Sequence, residues 1–358
     1  MYGSRHEGIA GAHVEGFRVH ATALQRQLGL TSTLHTAATP DAALATLSAT
    51  GADTWLVLPT WRDKPHAVLD LFTRLRLQAG SCKLLALDWY AQASSPHFGI
   101  VPLVDRYLKR QTYADPSDYQ RPFRGGHRLS DAVATWLNLD LGDWFVGSPL
   151  DVAHAHKVRP AWNFGAARRY LSLARAARFL APPWRLRPIA INRRLGLPKL
   201  DIKGEWYEHY RVACTRAAEP LASRWRTTGV ERVGRRRYLL ELMHSRIVFS
   251  PFGWGEVCFR DYEAVACGAL LVKPDLSHLT TSPNIFVAGE TYVPVRWDLA
   301  DLEERCAYFL DHPDEAARIA RNARRVLLEY HTRGGFVSDV RRAFAGLEDD
   351  TAATNSRR

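Results

Sequence analysis

Hydrophobic and polar positions follow two rhythms along this chain. Short apolar runs bounded by polar or turn residues occur at Thr54 to Pro59 (TWLVLP), Lys83 to Asp88 (KLLALD), Arg187 to Asn192 (RPIAIN), Arg246 to Pro251 (RIVFSP) and Ala269 to Val272 (ALLV). Apolar runs of this length, bounded in this way, predict buried strands. Between them, apolar residues recur at helical spacing. This predicts helices over Gly11 to Gly29, Lys64 to Gln78 (closed by Gly80), Glu205 to Trp225, Arg237 to His244 and Arg260 to Cys267. A helical tail is expected over Leu299 to Leu310, Asp314 to Tyr330 and Phe336 to Leu347. Further strands are expected at Asp143 to Ser148 and around the runs NIFVA and TYVPV. Strands alternating with helices in both halves predict an α/β protein with doubly wound parallel sheets.

A chain of 358 residues exceeds what one core usually supports. The basic helical stretch after Val152 stops at Ala181-Pro182-Pro183, a natural break. The expected organisation is an N-terminal domain over 1–182, a C-terminal domain over 183–335 and a helix over 336–347 crossing back to the first domain. A polar tail over 348–358 is expected to be disordered. The opening is unusual. A doubly wound domain normally begins with an apolar strand, whereas this chain begins almost at a glycine-rich segment, GIAGAHVEGF.

Composition narrows the class of function. No run of eighteen apolar residues occurs, and the first residues lack the apolar core of a secretory signal, so a cytoplasmic protein is expected. The five cysteines form no CxxC pair and no Cys/His cluster of zinc spacing; reduced thiols and no metal site are expected. The net charge of +11 suits anionic partners: nucleic acid, anionic lipid at a membrane surface, or phosphorylated substrates. There is no GxxxxGK[ST] loop and no GxSxG elbow, and no DxD stands at the end of a first-half strand.

The richest chemistry lies in Ser250 to Pro274, SPFGWGEVCFRDYEAVACGALLVKP. Its order is strand, glycine loop, helix, small-residue turn, strand. Glu256 and Glu263 flank the predicted helix start, Gly253 and Gly255 permit close backbone approach, and Arg260 adds a cation. A carboxylate beside a helix N-terminus, at the carboxyl edge of a parallel sheet, can accept ribose hydroxyls while N–H groups face phosphate. Asp88 ends a predicted strand at the cleft edge and is a candidate general base. Asp105 and Lys109 read as cleft residues or an exposed helix pair. Lys273, Asp275 and His278 read as cleft lining or as a capped surface loop, and Trp206, Tyr207, Tyr210 and Trp225 as core packing.

The run GEVCFRDYEAVACGALLVKP resembles the donor signature of GT-B glycosyltransferases of the group-1, glycogen-synthase-like class. Its arginine before the glutamate also resembles exostosin-type transferases. The resemblance covers roughly Arg187 to Tyr330 and implies two Rossmann-like domains facing across a cleft. It implies that Glu263 holds the donor ribose. Glu256 would face the sugar, although six residues separate the two glutamates where the family has seven, which puts Gly255 at the family distance. It further implies that Arg193 or Arg194, with Lys199 or Lys203, neutralises the diphosphate. Gly8, Gly11 and His13 would form the glycine-rich turn of the acceptor domain, with His13 a second candidate base. The implied activity is metal-independent transfer of a sugar from a UDP- or GDP-sugar, without a tightly bound cofactor. Retention is implied, with inversion through Asp88 or His13 open. The acceptor would be a glycan in polysaccharide biosynthesis, a glycolipid met by peripheral association with an anionic membrane, a small metabolite or modified DNA. An epimerase or hydrolase of the same fold, and a non-catalytic polyanion-binding module, are the alternatives.

Overall fold

A computed structural model describes residues 8–59, 63–196 and 206–347. Lys199, Lys203 and the 348–358 tail lie outside the described residues.

The first half builds a parallel sheet from β1 (Thr54–Val57), β2 (Lys83–Asp88) and β3 (Arg106–Lys109). The short β4 (Gln111–Tyr113) leaves that sheet, and β5 (Val158–Pro160) returns to it, giving the order β1-β2-β3-β5. The second half repeats the plan. Strands β6 (Ile189–Asn192), β7 (Ser245–Phe249) and β8 (Leu270–Pro274) are parallel; β9 (Leu279–Thr281) stands apart; β10 (Val293–Val295) completes the order β10-β8-β7-β6. Helices cover both faces, so Leu84 to Leu87 and Ile247 to Phe249 are fully buried as continuous apolar runs. The expected α/β architecture with parallel sheets is what the chain adopts. Strands β4 and β9 pair antiparallel, with Gln111 opposite Thr281 and Tyr113 opposite Leu279, and so join the two halves through backbone hydrogen bonds.

Several expectations change. The first helical stretch breaks at His20 into Gly8–Val19 and Ala21–Leu28, the second closed by Gly29 in the left-handed region at φ 65°. Gly8, Gly11 and His13 therefore sit in a helix rather than in a glycine-rich turn. Gly16 of that helix lies against Phe336, where an added Cβ would fall 2.2 Å from the ring. Asp143 to Ser148 forms no strand; Val146 N–H donates to the Gly125 carbonyl, and the segment turns against a short 3-10 turn. The NIFVA run makes only a single bridge, Ala288 with Tyr292. Lys109 lies in a fully buried strand, not on an exposed helix, because Asp88 on β2 pairs with it.

Packing crosses the boundary expected at 182. Leu129, Val133, Tyr170, Ala174 and Ala177, on helices Arg128–Leu137 and Arg168–Leu180, share a core with Ile247, Tyr262 and Leu270 of the second half. Conversely, Phe336, Val337, Val340 and Ala343 of the Gly335–Phe344 helix share a core with Phe17, Leu85, Leu87 and Trp162. Among the described residues no helix is long and apolar enough to cross a membrane.

Candidate functional site

Parallel strands end together, so each sheet presents one carboxyl edge from which loops emerge. The loop after β2 runs through Trp89 to Ser95, and the loop after β7 runs through Ser250 to Cys258. These two loops meet. Gln92 Nε2 donates to the Trp254 carbonyl at 2.7 Å. Gly255 presses so closely on Ala91 that an added Cβ would stand 1.9 Å from the Ala91 carbonyl oxygen. Arg110 and Gln111 donate to that same oxygen at 2.7 and 3.0 Å. Glycine at 255 is thus required by the approach of the two loops.

Glu256 is fully buried in this seam and accepts from Gln111 Nε2 at 2.8 Å. Its Oε1 has no well-aligned partner. Burial raises its pKa, opposed by backbone N–H groups and by the Arg110 guanidinium, so the acid form is favoured relative to an ordinary glutamate. Other buried polar atoms of the seam also lack a well-aligned partner: Gln92 Oε1, Ser94 Oγ and both ring nitrogens of His97 and of His13. Buried polar atoms are nearly always satisfied, so these atoms are open to water or to a polar ligand.

Glu263 lies in the second turn of the Phe259–Ala266 helix, not at its start. Its oxygens accept from Arg235 Nη1 and the Tyr238 hydroxyl, each at 3.0 Å. Arg235 is 62% exposed, so this carboxylate sits just beneath the surface. The acid that caps the helix is Asp261, which sequence reasoning passed over. It accepts from Cys258 N–H at 2.7 Å and Ser250 Oγ at 2.6 Å, and pairs with the buried Lys273 ammonium at 3.2 Å. The geometry is that of a capping box, but Cys258-x-x-Asp261 lacks the Ser or Thr and the Glu or Gln that mark one in sequence. Lys273 thereby fastens loop, helix and β8 together from below rather than lining a cleft. Gly253 is near Cys258, where an added Cβ would stand 3.2 Å from Sγ.

The expected diphosphate arginines are otherwise engaged. Arg194 makes a bidentate pair with Glu241 at 2.7 and 2.8 Å and reaches Glu231 at 3.2 Å. Arg193 donates to Thr227 Oγ1 and the Thr228 carbonyl, both at 3.1 Å. Arg260 at the helix start, which also bonds Tyr238, and Arg211 on the Trp206–Arg224 helix, which lies over the Tyr207 ring, each keep a buried Nε without a partner. Arg211 and Tyr238 carried no signal in the sequence because a helix-borne arginine or tyrosine reads as surface or core.

The candidate bases are poorly set. Asp88 accepts from Lys109 Nζ, the Tyr107 hydroxyl and Tyr90 N–H, each at 2.8 Å. Burial alone would raise its pKa, but the Lys109 ammonium, His97 and hydrogen bonds outweigh it and bring Asp88 down to about 2. A carboxylate so held accepts a proton less readily than an ordinary aspartate. His13 is pulled down to about 3, first by burial and then by Arg110, and is a weak base as well. Asp105 binds Leu84 N–H at 2.7 Å and Arg76 at 3.1 Å, away from the seam. His278 packs edge-on to Trp297 and is lowered by burial to about 4; Asp275 accepts from Ser277 and Tyr292. Trp206 and Tyr210 are core residues, as expected.

Residues 184–335 match the family described as glycosyl transferase-like. That matched stretch is the second half of the chain, from the turn before β6 to the start of the last helix. In three dimensions an alpha-glucosyltransferase, solved with UDP and a 13-mer DNA containing a HMU base, is similar at TM-score 0.50. That likeness has 10% identity and covers 96% of this chain and 97% of the other. A glycosyltransferase from Rickettsia africae is similar at TM-score 0.47, with 9% identity and 97% of each chain covered. Sucrose-phosphate synthase from Thermosynechococcus elongatus is similar at TM-score 0.46, with 12% identity, covering 87% of this chain and 77% of that one. No curated protein matches the sequence. The matched stretch and the parallel-sheet half before it together have the GT-B fold.

Proposed function

We propose that this protein transfers a sugar from a nucleotide-sugar donor to an acceptor hydroxyl, in the seam between the two carboxyl edges. One observation carries the reading: Glu263 and Arg260 share the short helix that follows β7 in a glycosyl transferase-like domain, next to a seam of unsatisfied buried polar atoms. Glu263 holds the donor ribose, its bonds to Arg235 and Tyr238 exchanging for ribose hydroxyls. Arg260 and Arg211, in place of Arg193 and Arg194, face the diphosphate and stabilise charge as the glycosidic bond breaks. Glu256, buried in the seam beside Gln111, faces the sugar. The backbone of Gly253 to Val257 lies along the sugar.

Asp88 is tied to Lys109, Tyr107 and Tyr90, so inversion through it would first have to break those bonds, and retention is the simpler course. UDP is the nucleotide to try first, since the alpha-glucosyltransferase that shares the fold was solved with it; GDP is the second. The acceptor is a glycan or glycolipid hydroxyl, with a modified base in DNA as the neighbour's precedent. The chemistry is metal-independent in this reading, with arginines carrying the charge.

The test is ligand-induced thermal stabilisation by UDP, GDP and their sugars. The wild type should be stabilised by one of them, and Glu263→Ala should lose that shift while its own melting temperature in buffer stays close to wild type. An unchanged nucleotide shift in Glu263→Ala would remove Glu263 from the site. Products analysed with and without acceptor then separate transfer from hydrolysis.

A further inference from the structure

Between Asp151 and Asp201 the sequence contains no Asp or Glu but nine Arg and two Lys. Much of this interval is the Arg168–Leu180 helix and the turn that follows. The helix buries Tyr170, Ala174 and Ala177 and turns Arg175, Arg178 and Phe179 outward. Its end is apolar as well as basic: Phe179 is 83% exposed, Leu180 59%, and Leu186, six residues on, 72%. The turn between them is anchored, because the Trp184 indole N–H donates to the Arg246 carbonyl at 2.8 Å. Arg185 pairs with Asp314, whereas Arg175 and Arg178 make no ion pair among the described residues.

We infer that this tip docks the protein on an anionic membrane surface. Phe179, Leu180 and Leu186 enter the boundary between headgroups and acyl chains, and Arg175 and Arg178 meet lipid phosphates. Large apolar side chains grouped at the end of a basic helix are costly in water and suited to that boundary. Anionic headgroups supply the charge that the acid-free interval lacks. A nucleic acid would satisfy the arginines but leave the three apolar side chains without a partner. A second copy, meeting this face about a two-fold axis, would bring Arg175 and Arg178 against their own equivalents.

The experiment uses the full chain and needs no sugar donor, so it stands or falls apart from the transferase reading. Flotation is measured with vesicles of phosphatidylcholine alone and with about 30% phosphatidylglycerol, a surface charge of the physiological kind. The wild type should float only with the anionic vesicles. Phe179→Ser with Leu186→Ser, and separately Arg175→Glu with Arg178→Glu, should each weaken binding about tenfold or more, with melting temperature unchanged because these side chains are exposed. A Phe179→Trp variant should shift its emission to the blue on those vesicles. Any of three results overturns the inference: no flotation of the wild type; flotation unaffected by both double substitutions; or a wild-type dimer in sedimentation that the Ser substitutions dissolve, with no vesicle binding. Binding of a DNA duplex that the Glu substitutions abolish, without vesicle binding, would assign the patch to nucleic acid instead.

Discussion

Each half of the molecule contains a buried lysine–aspartate pair under the loop that leaves its sheet: Lys109 with Asp88, and Lys273 with Asp261. Breaking such a pair leaves a charge stranded in the core, which typically costs ~3–5 kcal/mol. Lys109→Met should therefore lower stability by several kcal/mol in urea unfolding at neutral pH, even though methionine fits the volume. Asp88 also gives a pH signature. Its folded pKa of about 2 lies below the ordinary 3.8, so its share of stability is present above about pH 4 and is lost as pH falls through 2. By linkage that share is ~2 kcal/mol. Asp88→Asn should flatten the fall of melting temperature between pH 4 and 2, while lowering stability at neutral pH. An unchanged acid profile in Asp88→Asn would show that the pair does not hold in solution. These pairs were half legible. Asp88 stood out at a strand end, but Lys109 in DRYLKR reads as surface, because a lysine is buried only when a distant partner makes it so.

Among the elements, the loop after β7 is fixed by close approach as much as by hydrogen bonds. Gly255→Ala must push Ala91 away, which should cost about 1–3 kcal/mol and open the seam. Gly253→Ala meets the Cys258 sulfur at 3.2 Å and the Gly255 carbonyl at an ordinary 3.7 Å, and should be milder. The ordering Gly255→Ala worse than Gly253→Ala, read in both melting temperature and kcat/KM, checks the geometry; equal effects would contradict it. Strands buried on both faces, such as Leu84 to Leu87 and Ile247 to Phe249, were plain in the sequence because they are continuous apolar runs. Arg106–Lys109 was hidden by charges that pair out of register with any local pattern. The three-residue strands β4 and β9 are too short to carry a periodic signal. The helix after the glycine loop was legible, yet which acid caps it was not, since Asp261 and Glu263 differ only by position within the first turns.

At the scale of the molecule, the last helix is a clamp. Phe336 packs edge-on to Phe17 and Trp162, with ring centroids 5.4 and 4.8 Å apart, and seats against Gly16. Phe336→Ala should cost ~3–5 kcal/mol. Thermal unfolding should then split or broaden if the clamp couples the halves, and stay a single sharp transition if it does not. The periodicity of this helix was visible in sequence; its destination, a core on the other half, depends on side chains some three hundred residues away.

The β4–β9 ribbon has a consequence for how this protein can be taken apart. Besides its own pairs, Ala114 N–H donates to the His278 carbonyl and Asn163 N–H to the Ser282 carbonyl, so main chain from both halves is laced along one line. The stretch that matches the glycosyl transferase-like family, 184–335, includes β9 but neither β4 nor the helices Arg128–Leu137 and Arg168–Leu180. Excised alone, it would bare a strand edge and the apolar face those helices cover, and it should aggregate rather than fold. A recombinant or chimeric version must therefore be cut by packing, not by the borders of the family: the two halves are exchanged together.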